Sequence, residues 1–185
     1  MLPLSIQNRF KNPGALEKHF IAYLQKAGLE ISNSKTISSQ ALYHQVNVGG
    51  SLVNTFFTGT LTTGETNIEG SFVRPQSEHF VIYGIRIFEG IDSSVIDTNW
   101  VAGITTAEIE NGNFTITNNS EVELKNYPMT EALAGLTTKD QGLILLDQPI
   151  IWAGQTSLSL VFSMFSTPGS ADANVRIQLL GMGLI

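Results

Sequence analysis

Alternation of apolar and polar positions runs through most of the chain. Leu158, Leu160, Phe162 and Met164 alternate with Ser157, Ser159 and Ser163, and Val175, Ile177 and Leu179 alternate with Asn174, Arg176 and Gln178. Successive side chains of a strand point to opposite faces, so each run predicts a strand with one apolar face. With the loop STPGSADA between them, the two suit an antiparallel pair in a core. Residues 78–90, EHFVIYGIRIFEG, are apolar on both faces, with Phe80, Ile82 and Phe88 on one and Val81, Tyr83, Ile85 and Ile87 on the other. They predict a central strand covered on both sides, with Gly84 marking a bulge or bend.

Segment 106–126 reads as a meander with one wet face. Asn111-Gly112 is a hairpin-type turn signal, and Asn118-Asn119 gives a second turn. Phe114 and Ile116 alternate with Thr115 and Thr117; Val122 and Leu124 alternate with Glu121, Glu123 and Lys125. Glu108 with Glu110, and Glu121 with Glu123, then share strand faces. ALYHQVNVGG and SLVNTFFTGTLTTGE are further β-rich runs broken by glycines, and PMTEALAGL predicts a helical turn or two within a connection.

Residues 12–28 break the period of two. Leu16, Phe20, Tyr23, Leu24 and Ala27 fall on one stripe at helical spacing. Asn12 caps the start, Pro13 suits the first helical position and Gly28 supplies the left-handed stop. The fold class predicted is mainly β: an antiparallel β-sandwich of jelly-roll type with one N-terminal amphipathic helix. Residues 1–11 form an arm, either a strand tucked onto its own domain or a segment packed on a neighbouring subunit. Residues 12–185 form a single domain that includes the helix.

Composition narrows the function. Only 14% of residues are charged and the net charge is −6, so Ser, Thr, Asn and Gly must fill the surface. Few charges then need desolvating at a protein contact. No Lys/Arg cluster offers the electrostatic footprint of a nucleic-acid binder. There are no cysteines, which removes disulfides, thiolate catalysis and Cys-based zinc sites. The longest apolar runs fall short of a membrane span. The opening residues lack a basic region followed by an apolar one, so the expectation is a chain made and folded in a cytoplasm.

Candidate chemistry is sparse. His19, His44 and His79 have no metal-ligand spacing and read as structural histidines. The four glutamates read as a solvated face, with a carboxylate pair for glycoside hydrolysis as the rival reading. Trp100 and Trp152 read as packing residues, with sugar stacking as the rival.

The segment GLILLDQPIIWAGQTSLSLVFSMF, followed by ANVRIQLLGMGLI, resembles the closing part of jelly-roll structural proteins of bacteriophage virions. Leu146, Pro149, Trp152, Thr156 and the run Val175-Arg176 to Leu180-Gly181 carry the resemblance. It extends more loosely over 78–126. It implies a non-enzymatic shell component (capsid, penton or decoration protein) with no catalytic residue, cofactor or metal. It also implies homo-oligomers, trimeric or pentameric, other virion proteins as partners, synthesis in the host cytoplasm and residence in the virion. Lacking a basic arm, this chain is not expected to touch nucleic acid. The alternative is a carbohydrate- or receptor-binding β-sandwich. The apolar ends of the chain, Leu2, Leu4, Ile6 and Phe10 with Met182, Leu184 and Ile185, are the candidate subunit interface.

Overall fold

A computed structural model describes residues 13–31, 36–90, 92, 94–96, 99–103, 106–133 and 142–184. The described residues are mainly β, as the alternation predicts. The strands are β1 (Ile37–Asn47), β2 (Val53–Phe56), β3 (Phe80–Gly90), β4 (Val101–Ala102), β5 (Asn113–Asn118), β6 (Glu121–Pro128), β7 (Leu143–Trp152), β8 (Leu158–Ser163) and β9 (Asn174–Leu184). Helix α1 (Pro13–Lys26) precedes them, α2 (Ala107–Glu110) lies between β4 and β5, and a 3-10 turn (Met129–Leu133) follows β6.

Pairing is antiparallel and nested: β1 with β9, β2 with β8, β3 with β7, and β5 with β6. Contacts of β9 with β3 and of β8 with β5 roll these ribbons into two sheets. Sheet A runs β1-β9-β3, with β7 and the short β4 sharing the far edge of β3; sheet B runs β2-β8-β5-β6. Strands β8 and β9 are therefore not a pair, contrary to the sequence expectation. Each is already flanked on both sides within its own sheet. Their apolar faces meet across the core, and residues 164–173 cross between the sheets.

β3 is the doubly covered central strand, and its register shifts between Ile82 and Gly84. That bulge changes the phase of alternation. Ile85 and Ile87 join Phe80 and Ile82 in the main core, while Val81 and Tyr83 face the other way. Strict alternation had put Ile85 and Ile87 on the face of Val81.

The face that Val81 and Tyr83 reach is covered by α1. Leu16, Phe20 and Leu24, one side chain per turn, pack on Val81, Tyr83, Met182 and Leu184 as a second core. The helix stops as predicted: Gly28 takes φ +69°, and its N–H donates to the Gln25 carbonyl at 3.0 Å. Ala27 is exposed rather than part of the buried stripe, and the Asn12 cap lies outside the described residues.

The segment before β5 corrects another expectation. Glu108 and Glu110 lie on the helical turn α2, not on a strand. Asn111-Gly112 leads from α2 into β5 instead of closing a hairpin. Ile109 is buried in the main core, which fixes this turn from inside. Gly112 is pressed against the Phe162 ring so closely that a Cβ there would sit 2.5 Å from Cε2. The hairpin turn is at Asn119-Ser120, both in the left-handed region at φ 48° and 70°, as the twist of a two-residue hairpin requires.

Candidate functional site

The nested order gathers connections at two ends of the sandwich. At one end, the Val48 N–H meets the Ala173 carbonyl and the Met164 N–H meets the Leu52 carbonyl, while α2 lies beside the start of the β8–β9 connection. At the other, the Gln155 N–H donates to the Arg74 carbonyl, the Asn119 N–H to the Ser157 carbonyl and the Gly154 N–H to His79 Nδ1.

The candidate interface residues fall into two groups. Met182 and Leu184 are buried, 5% and 0% exposed, beneath the chain's own helix. They sit at even positions of β9, on the face opposite Val175, Ile177 and Leu179. α1 covers this apolar surface, so these two side chains offer none to a neighbouring subunit, contrary to the expectation from sequence. Leu2, Leu4, Ile6, Phe10 and Ile185 lie outside the described residues.

Other predicted chemistry disperses. Trp152 is fully buried, and its Nε1 donates to the Thr156 carbonyl at 3.0 Å, which removes it as a ligand platform. Glu121 and Glu123 stand exposed on the edge strand β6, and Glu121 pairs with Asn118 at the end of β5 opposite the one that α2 leads into. Glu108 lines a shallow open groove with Ala107, Asn111, Phe165 and Ser166. Among the described residues, no three His, Asp or Glu side chains gather as metal ligands.

The two strand histidines are structural acceptors. His44 packs against Phe56, Phe57 and Phe72. Its Nδ1 accepts the Phe57 N–H at 2.8 Å, at a residue held in the left-handed region with φ 61°. Burial lowers the His44 pKa to about 4, against a smaller upward pull from Glu65. His79 is also lowered, mainly by burial, with a hydrogen bond to the Glu30 backbone opposing it and Arg74 adding to it.

Two surface features remain. The first is the outer face of sheet B. Its outward positions on β2, β8 and β5 are Val53, Thr55, Ser159, Val161, Ser163, Asn113, Thr115 and Thr117, and none is charged. Apolar side chains flank this hydroxyl-rich sheet: Val53 is 56% exposed, Val122, opposite Thr117, 57%, and Phe165, just past β8, 79%. An exposed phenylalanine beside an uncharged sheet face presents contact area that costs little to desolvate. The sequence carried this signal as Ser/Thr alternation, but which sheet would own it was not legible.

The second is on the outer face of sheet A, beyond α1. The Arg176 guanidinium packs on two rings, 4.7 Å from the Tyr43 centroid and 4.4 Å from that of Trp100. Its Nε donates to Gln45 Oε1 at 2.8 Å. Gln45 is buried and anchors the cluster, donating through Nε2 to the carbonyls of Gly64 and Val95 at 2.7 and 2.8 Å. Residues from β1, β9 and two loops thus converge on one arginine, a grouping invisible in the sequence because Gln45 and Arg176 meet only through the β1–β9 register.

Comparison with protein-family models, curated proteins and solved structures finds no match to this chain.

Proposed function

We propose that this protein is a non-enzymatic virion structural protein, a jelly-roll shell component that assembles by packing subunit on subunit. The jelly-roll reading is supported by the nested pairing. With the two-residue β4 set aside, eight strands pair first with last and inward, and the ribbon is rolled into two four-stranded sheets. Such nesting is what a double Greek key, as in capsid and lectin sandwiches, would produce, and it supports the jelly-roll reading. The resemblance of the closing segment to phage virion proteins points to the first of those two uses.

The observation that carries the assembly reading is the uncharged outer surface of β2, β8 and β5, with Val53, Val122 and Phe165 at its flanks and the charged residues of sheet B confined to the edge strand β6. Closed oligomers bury such faces between identical copies. The arm bearing Leu2, Leu4, Ile6 and Phe10 is a second element of the proposed contact. The place of action on this reading is the virion, after synthesis in the host cytoplasm.

Sedimentation of the full chain tests it. The expected result is a discrete oligomer that moves towards monomer in a Val53→Thr, Phe165→Ser variant. The melting temperature should scarcely change, since exposed substitutions usually alter stability by less than about 0.5 kcal/mol. A wild-type chain that stays monomeric at every concentration overturns the proposal.

A carbohydrate- or receptor-binding module is the second reading, favoured by the half-buried Trp100 at the surface of sheet A. Binding on a glycan array that is lost in Trp100→Ala would favour it over assembly.

A further inference from the structure

Arg176 is held in place by three side chains. Its Nε is committed to Gln45 and its guanidinium carbon lies against Tyr43 and Trp100. Its two terminal nitrogens have no hydrogen-bond partner among the described residues, and neither is sealed from solvent. The chain has 16 acidic and 10 basic residues, yet no carboxylate among the described residues is paired with this half-buried arginine.

We propose that Arg176, steadied by Tyr43, Trp100 and Gln45, is a binding site for a carboxylate group supplied from outside the chain. The planar fork of a guanidinium matches the two oxygens of a carboxylate, and such charge-assisted bonds are among the strongest in proteins. The neighbouring rings shield the pair from water, which strengthens it. Gln45 fixes the orientation of the fork before anything binds, so little side-chain freedom is lost on binding. A single guanidinium suits a singly charged carboxylate better than a phosphate, which an acidic chain of net charge −6 repels more strongly. Tyr, Trp and Arg together are also the composition of binding hot spots. The carboxylate has two sources: an acidic side chain of a second copy, or a free ligand. The site does not depend on the assembly reading, because either source satisfies it.

Trp100 makes the test direct. It is one of two tryptophans, and the other, Trp152, lies fully buried in the core, so Trp100→Phe isolates its emission by difference. Wild type, Arg176→Gln and Arg176→Lys are titrated with sodium acetate against sodium chloride at matched ionic strength, with fluorescence and sedimentation read on the same samples. A saturable, acetate-specific change in Trp100 emission of a monomer identifies a free carboxylate ligand. Self-association that acetate and Arg176→Gln both reduce identifies a carboxylate of a second copy. In either case Arg176→Lys keeps the charge but loses the fork, and is expected to bind about tenfold or more weakly. If Arg176→Gln does not fold, Arg176→Lys carries the comparison. Emission and self-association that are insensitive to acetate, and the same in wild type and the folded variants, overturn the proposal.

Discussion

His44 shows how one buried side chain sets a pH dependence. Its ring is wedged among Phe56, Phe57 and Phe72, and its Nδ1 must stay unprotonated to accept the Phe57 N–H. Its folded pKa, about 4, lies below its ordinary 6.5. The unfolded chain therefore binds a proton more readily than the folded one between these values. The contribution of His44 to stability is complete above about pH 6.5, falls as the pH drops towards 4, and is flat below that. The shift corresponds to at most about 3 kcal/mol, less whatever solvent reaches the ring. His79, lowered in the same direction, adds to the slope. Denaturant titrations at several pH values should therefore show stability declining from neutrality to pH 4. In His44→Gln the decline should be shallower by His44's share. An unchanged slope in that variant would mean that His44 titrates normally in the folded protein.

At the scale of elements, β9 is the strand the fold can least alter, lying between β1 and β3 along its whole length. Gly181 marks its closest approach to β3: a Cβ there would sit 2.2 Å from the Val81 carbonyl oxygen and 2.8 Å from Phe80 Cζ. The obstacle is mainly backbone, which cannot swing aside. Gly181→Ala should destabilise the protein by about 3 kcal/mol or more, as overpacking in a well-packed core does. Gly50→Ala, where nothing lies within 4 Å of the added carbon, should be near neutral. Equal melting temperatures for the two variants would refute this view of β9. The strands themselves were legible, because a period of two is a local property, and so was α1, whose stripe and Gly28 stop are local too. The turn at α2 was not. Its alternating glutamates imitate a strand, and only the burial of Ile109 and the pressure of Phe162 on Gly112 select a helical turn. Gly84 within an apolar strand signals a bulge, but its consequence for Ile85 and Ile87 depends on partners far along the chain.

For the molecule as a whole, sequence reading stops where strands choose partners. Alternation gives each strand an apolar face without saying which sheet it joins, so β8 and β9 passed for a hairpin when each is central to a different sheet. The same limit governs the end of the chain. Met182 and Leu184 looked like surplus apolar surface because the main core was already filled by Val175, Ile177 and Leu179. The second core, which closes only when α1 folds back from the other end of the chain, is their true destination. Removing residues 182–185 is a test on this scale. The truncation deletes the pairs Ile37 with Leu184 and Val81 with Met182, and takes away part of the seat of Phe20 and Leu24. Loss of two buried apolar side chains alone costs about 3–6 kcal/mol, a large share of the roughly 5–15 kcal/mol that holds a domain together. The truncated chain should therefore melt far below the full chain, or fail to fold. Its folded fraction, compared with the full chain at equal folded concentration, should associate as before, because the described surface of sheet B is untouched. A truncated chain that kept the full melting temperature but lost its assembly would return the C-terminal residues to the interface, against the burial that α1 gives them.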